Sequence, residues 1–469
     1  MQIVKDEFDN SQLWDRDFIR KHDIAGPRYT SYPTALQFHE EFTVGDYRGA
    51  VSRSNLSRKP LSVYVHLPFC ESLCYYCACN KVVTANKDTM RRYLDLLIQE
   101  IKLRGEDFES HRPVYQMHWG GGTPTYYDSA EMTELMYELG RAFHLVDPDR
   151  AEYSVEIDPR NMDIGKLGLL KGLGFNRLSF GIQDFDEKVQ QSINRVQPYN
   201  MVRDQILDAK AYGFSSINFD LIYGLPHQTV DSFSDTITKV IDMDPDRISV
   251  FNYAHLPERF KAQGQLPEEA LPSADEKLQL FCSAAKRLTE AGYIYIGMDH
   301  FAKPMDELSL ALKNGLLHRN FQGYTTGKDA DLIGVGVSAI SQVNNVYCQN
   351  TRSIRDYHSY MEREELPIQY GVVLVEDDEI RRDVIMAIIC NNKLEVEAIE
   401  RAHGIVFHDY FKSEMDVIAQ YATEGLVEQK SYGFRVTPKG HLVVRKICMV
   451  FDHYLPGHLR NGKHFSRII

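Results

Sequence analysis

The chain has 469 residues and a net charge of −13, and 43% of its residues are hydrophobic. This composition is typical of a folded globular protein and excludes a largely disordered chain. The acidic balance argues against a nucleic-acid partner, because phosphate-backbone binding requires clustered Lys and Arg. No apolar run has the length of a signal-peptide core or a membrane span. We therefore expect a cytoplasmic protein without a membrane partner, built from about three units of roughly 150 residues.

Seven apolar, β-rich runs alternate with segments of helical periodicity. The runs are SVYVHL (62–67), VYQMHW (114–119), EYSVEI (152–157), RLSFGI (177–182), INFDLI (217–222), ISVFNY (248–253) and YIYIGM (293–298). Between the first two runs, Met90, Leu94, Leu97 and Ile101 lie on one helical face. Strands that alternate with amphipathic helices form a parallel sheet with crossover helices. The sequence therefore predicts an α/β fold, built on a complete or partial barrel of six or more βα units.

Polar residues or glycines directly follow most of these runs. These positions are His66, Gly120–Thr123, Glu156 with Asp158, Gln183 with Asp184, Asp220, and Asn252 with His255. A parallel barrel brings the carboxyl ends of its strands together at one rim, where the active sites of such barrels lie. Each position alone fits a solvated loop, but the set together predicts a functional site at this rim.

The regions outside the β/α repeats have other patterns. The first residues lack strand periodicity and contain GPRYTSYPT (26–34), whose Gly and Pro favour an irregular loop. From about residue 375 the pattern is three helices and a hairpin, and the acidic helices would repel phosphate. We expect four units: an N-terminal arm that covers the active site (1–55), a β/α barrel (56–300), a barrel extension and connecting segment (301–370), and a helical, winged-helix-like C-terminal domain (371–469).

Four of the eight cysteines, Cys70, Cys74, Cys77 and Cys79, lie within ten residues. In a cytosolic chain such crowding indicates metal binding or redox chemistry rather than a disulfide scaffold. The C-x3-C-x2-C spacing lets three thiolates hold three irons of a cubane cluster and leave the fourth iron open. Spacing alone does not exclude Cys79 as a fourth ligand. A structural zinc site is the alternative, although zinc ligands usually occur as two separated pairs.

The segment CESLCYYCACN (70–80) resembles the CxxxCxxC signature of radical S-adenosylmethionine (SAM) enzymes, and WGGGTPT (119–125) resembles their glycine motif for the SAM amino group. The resemblance implies a [4Fe-4S] cluster whose open iron binds SAM. The reduced cluster would cleave SAM to a 5′-deoxyadenosyl radical that abstracts hydrogen, while the protein positions the reactants and excludes water. The fold would then be a partial (β/α)6-type radical SAM barrel with an N-terminal arm and a small, mostly helical C-terminal domain.

Blocks along almost the whole chain resemble the family of oxygen-independent coproporphyrinogen III oxidases. They are GPRYTSYPT (26–34), VYVHLPFC (63–70), CACNK (77–81), HWGGGTPT (118–125), EIDPRN (156–161), NRLSFGIQDF (176–185), FDLIYGLPHQT (219–229), FNYAHLP (251–257), GMDHFAKP (297–304) and LHRNFQGYTT (317–326). Members of that family remove CO2 and hydrogen from two propionate side chains of coproporphyrinogen III, which gives the vinyl groups of protoporphyrinogen IX. The resemblance therefore implies an oxidoreductase of anaerobic haem and porphyrin biosynthesis.

The motifs of the family assign roles to individual residues of this sequence. Cys70, Cys74 and Cys77 would ligate the cluster, and Cys79 would be an extra, non-ligating cysteine and a candidate catalytic residue. Cluster-bound SAM would contact Tyr64, Gly121, Glu156 and Ile340. A second SAM would contact Tyr76, Gly122, Thr123, Gln183, Arg195, Asp220 and Ala254. These assignments suit the side chains, since carboxylates accept from amino and hydroxyl groups and arginine pairs with carboxylates.

Two further features bear on the binding of cofactor and substrate. Ala78 stands where many relatives have glycine, and we expect the cluster to tolerate its methyl group. The substrate carries four carboxylates, so this acidic protein must present local positive charge to it. The candidates are Arg28, His300, His318 and Arg319.

Two other functions share parts of the pattern. A haem chaperone related to the family has CxxxCxxC, but it typically lacks the GPRYTSYP arm and the extra cysteine that are present here. A radical SAM tetrapyrrole methyltransferase shares the barrel and would differ in its product. The oxidase function further implies a reducing electron donor, such as a flavodoxin or ferredoxin system. The lack of heptads and of an exposed apolar stripe favours a monomer.

Overall fold

The computed structural model describes residues 16–22, 24–327, 330–460 and 465. The strands, numbered in chain order, are β1 (Leu61–Leu67), β2 (Phe69–Cys70), β3 (Val82–Val83), β4 (Pro113–Gly121), β5 (His144–Leu145), β6 (Glu152–Ile157), β7 (Arg177–Gln183), β8 (Ser216–Tyr223), β9 (Arg247–Asn252), β10 (Ile294–Gly297), β11 (His300–Ala302), β12 (His318–Asn320), β13 (Gly323–Thr325), β14 (Asp331–Val335), β15 (Ile340–Val343), β16 (Val346–Asn350), β17 (Ile368–Val373), β18 (Lys393–Glu395), β19 (Val427–Lys430) and β20 (Gly433–Val436).

The α-helices cover the sheet and form most of the C-terminal region. They are α1 (Arg16–His22), α2 (Val44–Ser57), α3 (Lys87–Asp107), α4 (Ser129–Ala142), α5 (Ile164–Gly172), α6 (Glu187–Ser192), α7 (Tyr199–Ala211), α8 (Val230–Met243), α9 (Ala274–Glu290), α10 (Glu307–Asn314), α11 (Ile354–Glu362), α12 (Glu376–Asn391), α13 (Val396–His403), α14 (Phe407–Tyr410), α15 (Lys412–Thr423), α16 (Pro438–Leu442), α17 (Val444–Cys448) and α18 (Leu455–Arg460). Among the described residues, no helix combines the length and the apolar character that a membrane span requires.

One large mixed sheet organises the molecule, in the order β10-β11-β9-β8-β7-β6-β4-β1-β14-β15-β16-β17, with β5 beside β4. Its centre consists of β1, β4, β6, β7, β8 and β9, which are parallel neighbours in chain order. These strands are the first six predicted runs, so the expected partial (β/α)6-type barrel is confirmed. β14 continues the sheet parallel to β1, and β15 to β17 extend it antiparallel.

The seventh predicted run forms β10, but it does not extend the parallel repeat. After crossover helix α9, β10 runs in the same direction as β9, yet β11 returns antiparallel and pairs with both strands. The hairpin turns at Gly297 and Met298, whose φ angles of 142° and 55° are both in the left-handed region. The return strand therefore occupies the edge of β9 that a seventh parallel strand would need.

Local sequence explains the cover helices. The Asn86 side chain caps α3 by accepting from the backbone N–H groups of Asp88 and Thr89. The predicted apolar face of α3 is fully buried, at Met90, Leu94, Leu97 and Ile101. Burying such side chains stabilises the fold by about 1.5–3 kcal/mol each.

Helix α2 of the N-terminal segment was not predicted by the sequence analysis. Thr43 and Asp46 form a capping box at the start of α2, and Tyr47, Ala50 and Val51 are buried along one of its faces. α2 packs against β15 and β16, so it covers the strands beyond β14.

The irregular segment 24–34 is held by the C-terminal region. The Arg445 Nε atom donates to the Pro27 carbonyl over 2.8 Å, and Tyr29 Oη donates to Asp452 Oδ2 over 2.9 Å. Tyr347 Oη, from β16, donates to the Tyr32 carbonyl. This segment therefore has fixed contacts to both the sheet and the C-terminal helices.

The C-terminal region has the predicted succession of helices followed by a hairpin. α12 and α13 correspond to the first two predicted helices, while the third is divided into α14 and α15 at Phe411. The hairpin of β19 and β20 is completed by β18, which pairs with β20.

Candidate active site

The alternating polar positions of the central strands point into the barrel rather than to solvent. Along β6, Tyr153, Val155 and Ile157 are buried, whereas Glu152, Ser154 and Glu156 face an interior cavity. β7, β8 and β9 follow the same alternation with Ser179, Asn218 and Ser249, among others. The barrel therefore has a polar interior, whereas the interior of a closed parallel barrel is usually filled with branched apolar side chains.

Two adjoining cavities occupy the barrel and its rim. The first, termed the cysteine cavity, has a volume of about 240 Å³. It lies between residues 70–80, termed the cysteine loop, and the carboxyl ends of the strands. The second, termed the barrel cavity, has a volume of about 330 Å³ and is lined by the inward positions of β4, β6, β7, β8 and β9. Both cavities are bounded by Glu156, Ser179, Asp220 and Phe251, which form a shared wall.

Most of the predicted site residues line the cysteine cavity. They are Cys70, Cys74, Tyr76, Cys77, Cys79, Gly121, Gly122, Thr123, Glu156, Gln183, Arg195 and Asp220. Tyr64, Ala254 and Ile340 are not part of its wall.

The cysteine loop is closed by the short parallel pair of β2 and β3. Thr123 Oγ1 lies 3.5 Å from Cys70 Sγ, and the Arg160 and Arg195 guanidinium groups lie 3.3 and 3.5 Å from Cys74 Sγ. Both guanidinium groups are therefore within hydrogen-bonding distance of the Cys74 sulfur.

Cys77 and Cys79 form a coupled pair at the other end of the loop. The Cys79 thiol holds the pKa of Cys77 at about 6, with help from Lys81, and the pKa of Cys79 rises in return. Lys81 Nζ also donates to the Cys77 carbonyl over 2.8 Å. Burial raises the pKa of Cys70 to about 11, so the three predicted ligands have different environments.

The glycines at the end of β4 allow the chain to pass close to the segment that leads into the cysteines. A side-chain carbon on Gly122 would lie 2.6 Å from the Pro68 carbonyl carbon and oxygen, and one on Gly120 would lie 2.7 Å from Glu156 Oε1. Gly121 adopts a φ of 114°, and a side chain there would strike the His66 ring. The turn is held by hydrogen bonds from the Gly122 and Thr123 amides to Leu67 and Phe69.

Glu156 stands between the two cavities with defined partners. The Gly121 amide donates to its Oε2 over 3.0 Å, and His118 Nε2 lies 3.2 Å from its Oε1. Burial opposes its ionisation, but these hydrogen bonds and the His118 ring outweigh burial and lower the pKa of Glu156. The Tyr64 ring stacks on His118 at 5.9 Å, so Tyr64 supports Glu156 from outside the cavity wall.

Arg195 and Asp158 form a buried ion pair beneath the cysteine loop. Arg195 Nη1 donates to Asp158 Oδ2 over 2.9 Å, and its Nη2 donates to the Gly181 carbonyl over 2.7 Å. The Arg195 Nε atom is buried without a hydrogen-bond partner among the described residues. Arg160 also pairs with Asp158, so the guanidinium groups and the carboxylate form one fixed network.

Asp220 is the second carboxylate of the shared wall. It accepts from Ser179 Oγ over 2.8 Å and from Asn218 Nδ2 over 2.9 Å. Burial raises the pKa of Asp220 despite these hydrogen bonds. Gln183, whose φ is 65°, lies at an irregularity in the pairing of β7 with β8 and faces the cysteine cavity.

Ala254 and Ile340 lie near the site but outside its wall. The Gln263 side chain donates to the carbonyls of both Ala254 and Tyr76, which places these residues side by side. Ile340 begins β15, and its backbone lies against Gly334, the register partner of Tyr64.

Two of the rim residues singled out from the sequence have structural surroundings instead. Asp184 is fully buried and accepts hydrogen bonds from Thr236 and Gln228, both over 2.6 Å. His255 hydrogen-bonds to Glu268 over 3.0 Å and lines neither cavity. These two strand-end residues therefore hydrogen-bond to neighbouring side chains and do not line the cavities.

The barrel cavity also contains charged residues that sequence reasoning missed. Arg177 pairs with Glu307, and Arg247 donates to both carboxylate oxygens of Asp306. Both arginines occupy the first position of a strand and continue its inward-facing polar series. That alternation was the available signal.

The candidates for substrate carboxylates are only partly brought together. His300 lines the barrel cavity, and burial with the charges of Arg319 and Arg28 lowers its pKa to about 3. Arg28 forms an ion pair with Asp299, and Arg319 is buried beside the Tyr324 ring. His318 does not line either cavity.

The donor set suits an iron–sulfur cluster and SAM. Cys70, Cys74 and Cys77 reach one cavity from a single loop, and thiolates are the ligands of such clusters. Within the described ranges, no group of three His, Cys, Asp or Glu side chains is arranged to hold one metal ion. Gly121 and Gly122 line the same cavity as Glu156 and the three cysteines.

Comparisons with known proteins extend over nearly the whole chain. Residues 64–240 match the radical SAM superfamily, and residues 374–443 match the HemN C-terminal domain. The oxygen-independent coproporphyrinogen III oxidase of Pseudomonas aeruginosa is 47% identical, over 97% of this chain and 99% of the relative. The protein of that name from Helicobacter pylori is 42% identical, over 98% and 100%.

A solved structure is also similar over nearly the whole chain. Coproporphyrinogen III oxidase (HemN) from Escherichia coli, described as a radical SAM enzyme, matches with a TM-score of 0.90 and 46% identity. The match covers 94% of this chain and 99% of that chain. Radical SAM membership implies a [4Fe-4S] cluster and SAM, which replaces the zinc alternative. The chain belongs to the oxygen-independent coproporphyrinogen III oxidase family of the radical SAM superfamily.

Proposed function

We propose that this protein oxidatively decarboxylates two propionate side chains of coproporphyrinogen III and thereby forms protoporphyrinogen IX for haem biosynthesis. The observation that carries the proposal is the shared wall of Glu156, Ser179, Asp220 and Phe251. Through it, a cavity that contains the cluster-binding cysteines adjoins a second, polar cavity inside the barrel. The family name supports the choice of substrate.

In this proposal Cys70, Cys74 and Cys77 hold the cluster, and Cys79 remains a free thiol beside it. When bound, the cluster and SAM supply an electron and a hydrogen-abstracting group. The glycine edge admits the amino acid part of SAM, and the carboxylate of Glu156 accepts from it, since its lowered pKa keeps it ionised. Tyr64 and Ile340 support this position from the neighbouring strands.

A second SAM molecule is proposed in the same cavity. Its residues would be Tyr76, Gly122, Thr123, Gln183, Arg195, Asp220 and Ala254, of which all but Ala254 line the cavity wall. Arg195 suits the carboxylate of that molecule, because its buried Nε atom lacks a partner among the described residues. Equilibrium dialysis of the reconstituted protein with labelled SAM tests the number, and we expect two molecules per chain.

The chain must orient each propionate and keep water away from the reacting carbon. Each conversion of –CH2–CH2–COO⁻ to –CH=CH2 releases CO2, one hydrogen atom from the ring-attached carbon and one electron. SAM, when bound, would supply the group that takes up the hydrogen atom, and a separate acceptor would take up the electron. The enclosed position of Asp220 and Phe251 between the cavities suits this exclusion of water.

The remaining parts of the proposal concern organisation and partners. Residues 1–55 would act as an arm over the site, 56–300 as the barrel, 301–370 as its extension and 371–469 as the C-terminal domain. Contacts such as that of Arg28 with Asp299 support the role of the arm. The protein would act as a cytoplasmic monomer that receives electrons from a flavodoxin or ferredoxin system.

Anaerobic reconstitution with iron and sulfide, followed by dithionite, SAM and coproporphyrinogen III, tests the proposal. We expect products that have lost one and then two CO2 units, with formation of 5′-deoxyadenosine. The Cys74→Ser variant is the control, and it should form neither a decarboxylated porphyrinogen nor 5′-deoxyadenosine. Unchanged substrate despite SAM binding would favour the haem chaperone, and a product heavier by a methyl group would favour the methyltransferase.

A further inference from the structure

Arg319 is a buried guanidinium that forms no ion pair with any described residue. It is 4% exposed, and its Nε and Nη1 atoms have no hydrogen-bond partner among the described residues. Its guanidinium lies 4.6 Å from the centre of the Tyr324 ring. Burying a charge in this way is costly unless an opposite charge or hydrogen bonds compensate for it. The surroundings of Arg319 are therefore complete only with an added acceptor.

Three neighbouring side chains also have unpaired, buried polar atoms within the described part of the chain. They are His300 Nδ1, Tyr324 Oη and His441 Nε2. The rings of His300 and Tyr324 meet edge to face at 5.4 Å. A side-chain carbon on Gly297 would lie 2.6 Å from Tyr324 Oη and 3.0 Å from His441 Nε2, so these two atoms face the same space.

Two members of this cluster face the barrel cavity, whereas Arg319 and His441 are not part of its wall. His300 and Tyr324 line the barrel cavity, and the His300 ring packs against Phe251 of the shared wall at 5.9 Å. A ligand in the barrel cavity can therefore contact His300, Tyr324 and the shared wall at the same time, and the Arg319 guanidinium lies directly against the Tyr324 ring.

The charge balance of the cluster is positive. Arg28 is paired with Asp299, and burial with the charges of Arg319 and Arg445 lowers the pKa of Arg28 to about 9. The pKa of His300, at about 3, leaves that ring neutral. The Asp299 carboxylate is already paired with Arg28. A further anion is therefore needed to balance the charge of Arg319.

We propose that Arg319, together with His300 and Tyr324, binds a propionate carboxylate of the tetrapyrrole that is retained in the product. This inference rests on the proposed function and adds an anchor for its substrate. A carboxylate has the acceptor oxygens that a guanidinium and a phenol hydroxyl can hydrogen-bond.

A retained carboxylate fits this site better than a reacting one. Decarboxylation removes the negative charge of the reacting propionate, so a buried arginine on that group would stabilise the substrate more than the transition state. On a retained carboxylate the same interaction is equal in both states and serves to position the ring.

The test is equilibrium binding of coproporphyrin III, the stable oxidised form of the substrate, to the reconstituted protein by fluorescence titration. We expect Arg319→Met to weaken binding by about 10- to 100-fold, as for the loss of a charged hydrogen bond. Tyr324→Phe should weaken it less, by roughly 3- to 10-fold on the same scale for a neutral hydrogen bond. Arg355→Met is the matched control, because the Arg355 side chain is 91% exposed, and it should bind as the wild type does.

Thermal unfolding separates binding from folding. Ligand-free Arg319→Met should melt no lower than the wild type, because it removes a buried, unpaired charge. Unchanged coproporphyrin binding in Arg319→Met and Tyr324→Phe would overturn the proposal, as would an equal loss of SAM binding, which would assign the site to SAM. A wild type that binds coproporphyrin III but forms no vinyl product would contradict the proposed function alone.

Discussion

Gly122→Ala probes the contact between the glycine turn and the cysteine loop. An added methyl carbon would lie 2.6 Å from both the carbonyl carbon and oxygen of Pro68, and 2.8 Å from the carbonyl oxygen of Phe69. These are backbone atoms, so no side-chain rotation relieves the collision. The two segments must separate, although the Gly122 amide bonds to Leu67 and the Thr123 amide to Phe69.

The magnitude follows from overpacking. Forcing a methyl group into a closely packed position costs about 1–3 kcal/mol. The displaced segment leads directly into Cys70, whose sulfur lies 3.5 Å from Thr123 Oγ1. A misplacement of about 1 Å at a reacting centre lowers activity by roughly 100-fold. We therefore expect lower stability, slower cluster assembly and a large loss of decarboxylation.

Gly172→Ala is the matched control. Gly172 is the last residue of α5, and an added carbon there meets no atom within 4 Å. Alanine should stabilise this helix by about 0.5–1 kcal/mol. The assays are thermal unfolding, iron content after reconstitution and turnover. Gly122→Ala with wild-type stability, iron content and turnover would refute the reasoning on close approach.

Further variants test other parts of the account. Cys79→Ser should retain the iron content of the wild type and Cys74→Ser should lose it; equal loss in both would make Cys79 a ligand. Burial raises the pKa of Asp220, so ionising this carboxyl costs stability as the pH rises above its ordinary pKa of about 3.9. Ligand-free Asp220→Asn should therefore melt at a higher temperature than the wild type at pH 7.5 and at the same temperature near pH 3.5. A lower melting temperature at pH 7.5 would contradict this. Glu100→Gln should destabilise the fold by about 3–5 kcal/mol in denaturant unfolding, because it breaks the buried ion pair with Arg104; an unchanged midpoint would show that the pair is dispensable.

The sequence predicted those parts of the fold that depend on local pattern. The central strands coincide with short apolar runs, and α3 buries the face that its periodicity indicated. The partners of β14 depend on a contact between Tyr64 and Gly334, which are far apart in the chain. Pattern within a five-residue strand does not specify such a partner. The sequence pattern likewise did not specify that β11 returns in a hairpin from β10 and pairs with β9.

The sequence predicted the parts of the candidate site that lie in motifs. It missed residues that belong to the site only because their side chains point into the barrel. The spacing of the cysteines and of the glycines predicted that both segments belong to one site, and the structure brings both to one cavity. Arg177 and Arg247 belong to alternating strands, and alternation does not distinguish a polar interior from a solvated face. Arg319 was a candidate from its charge alone, whereas its significance comes from its burial and from the lack of a hydrogen-bond partner for Nε and Nη1 among the described residues.

The most direct test of the central claim uses coproporphyrinogen III deuterated at the ring-attached carbon of its propionates. The account predicts that 5′-deoxyadenosine gains one deuterium for each vinyl group formed, as measured by mass spectrometry of both products. Vinyl groups formed with unlabelled 5′-deoxyadenosine, or labelled 5′-deoxyadenosine without loss of CO2, would contradict it.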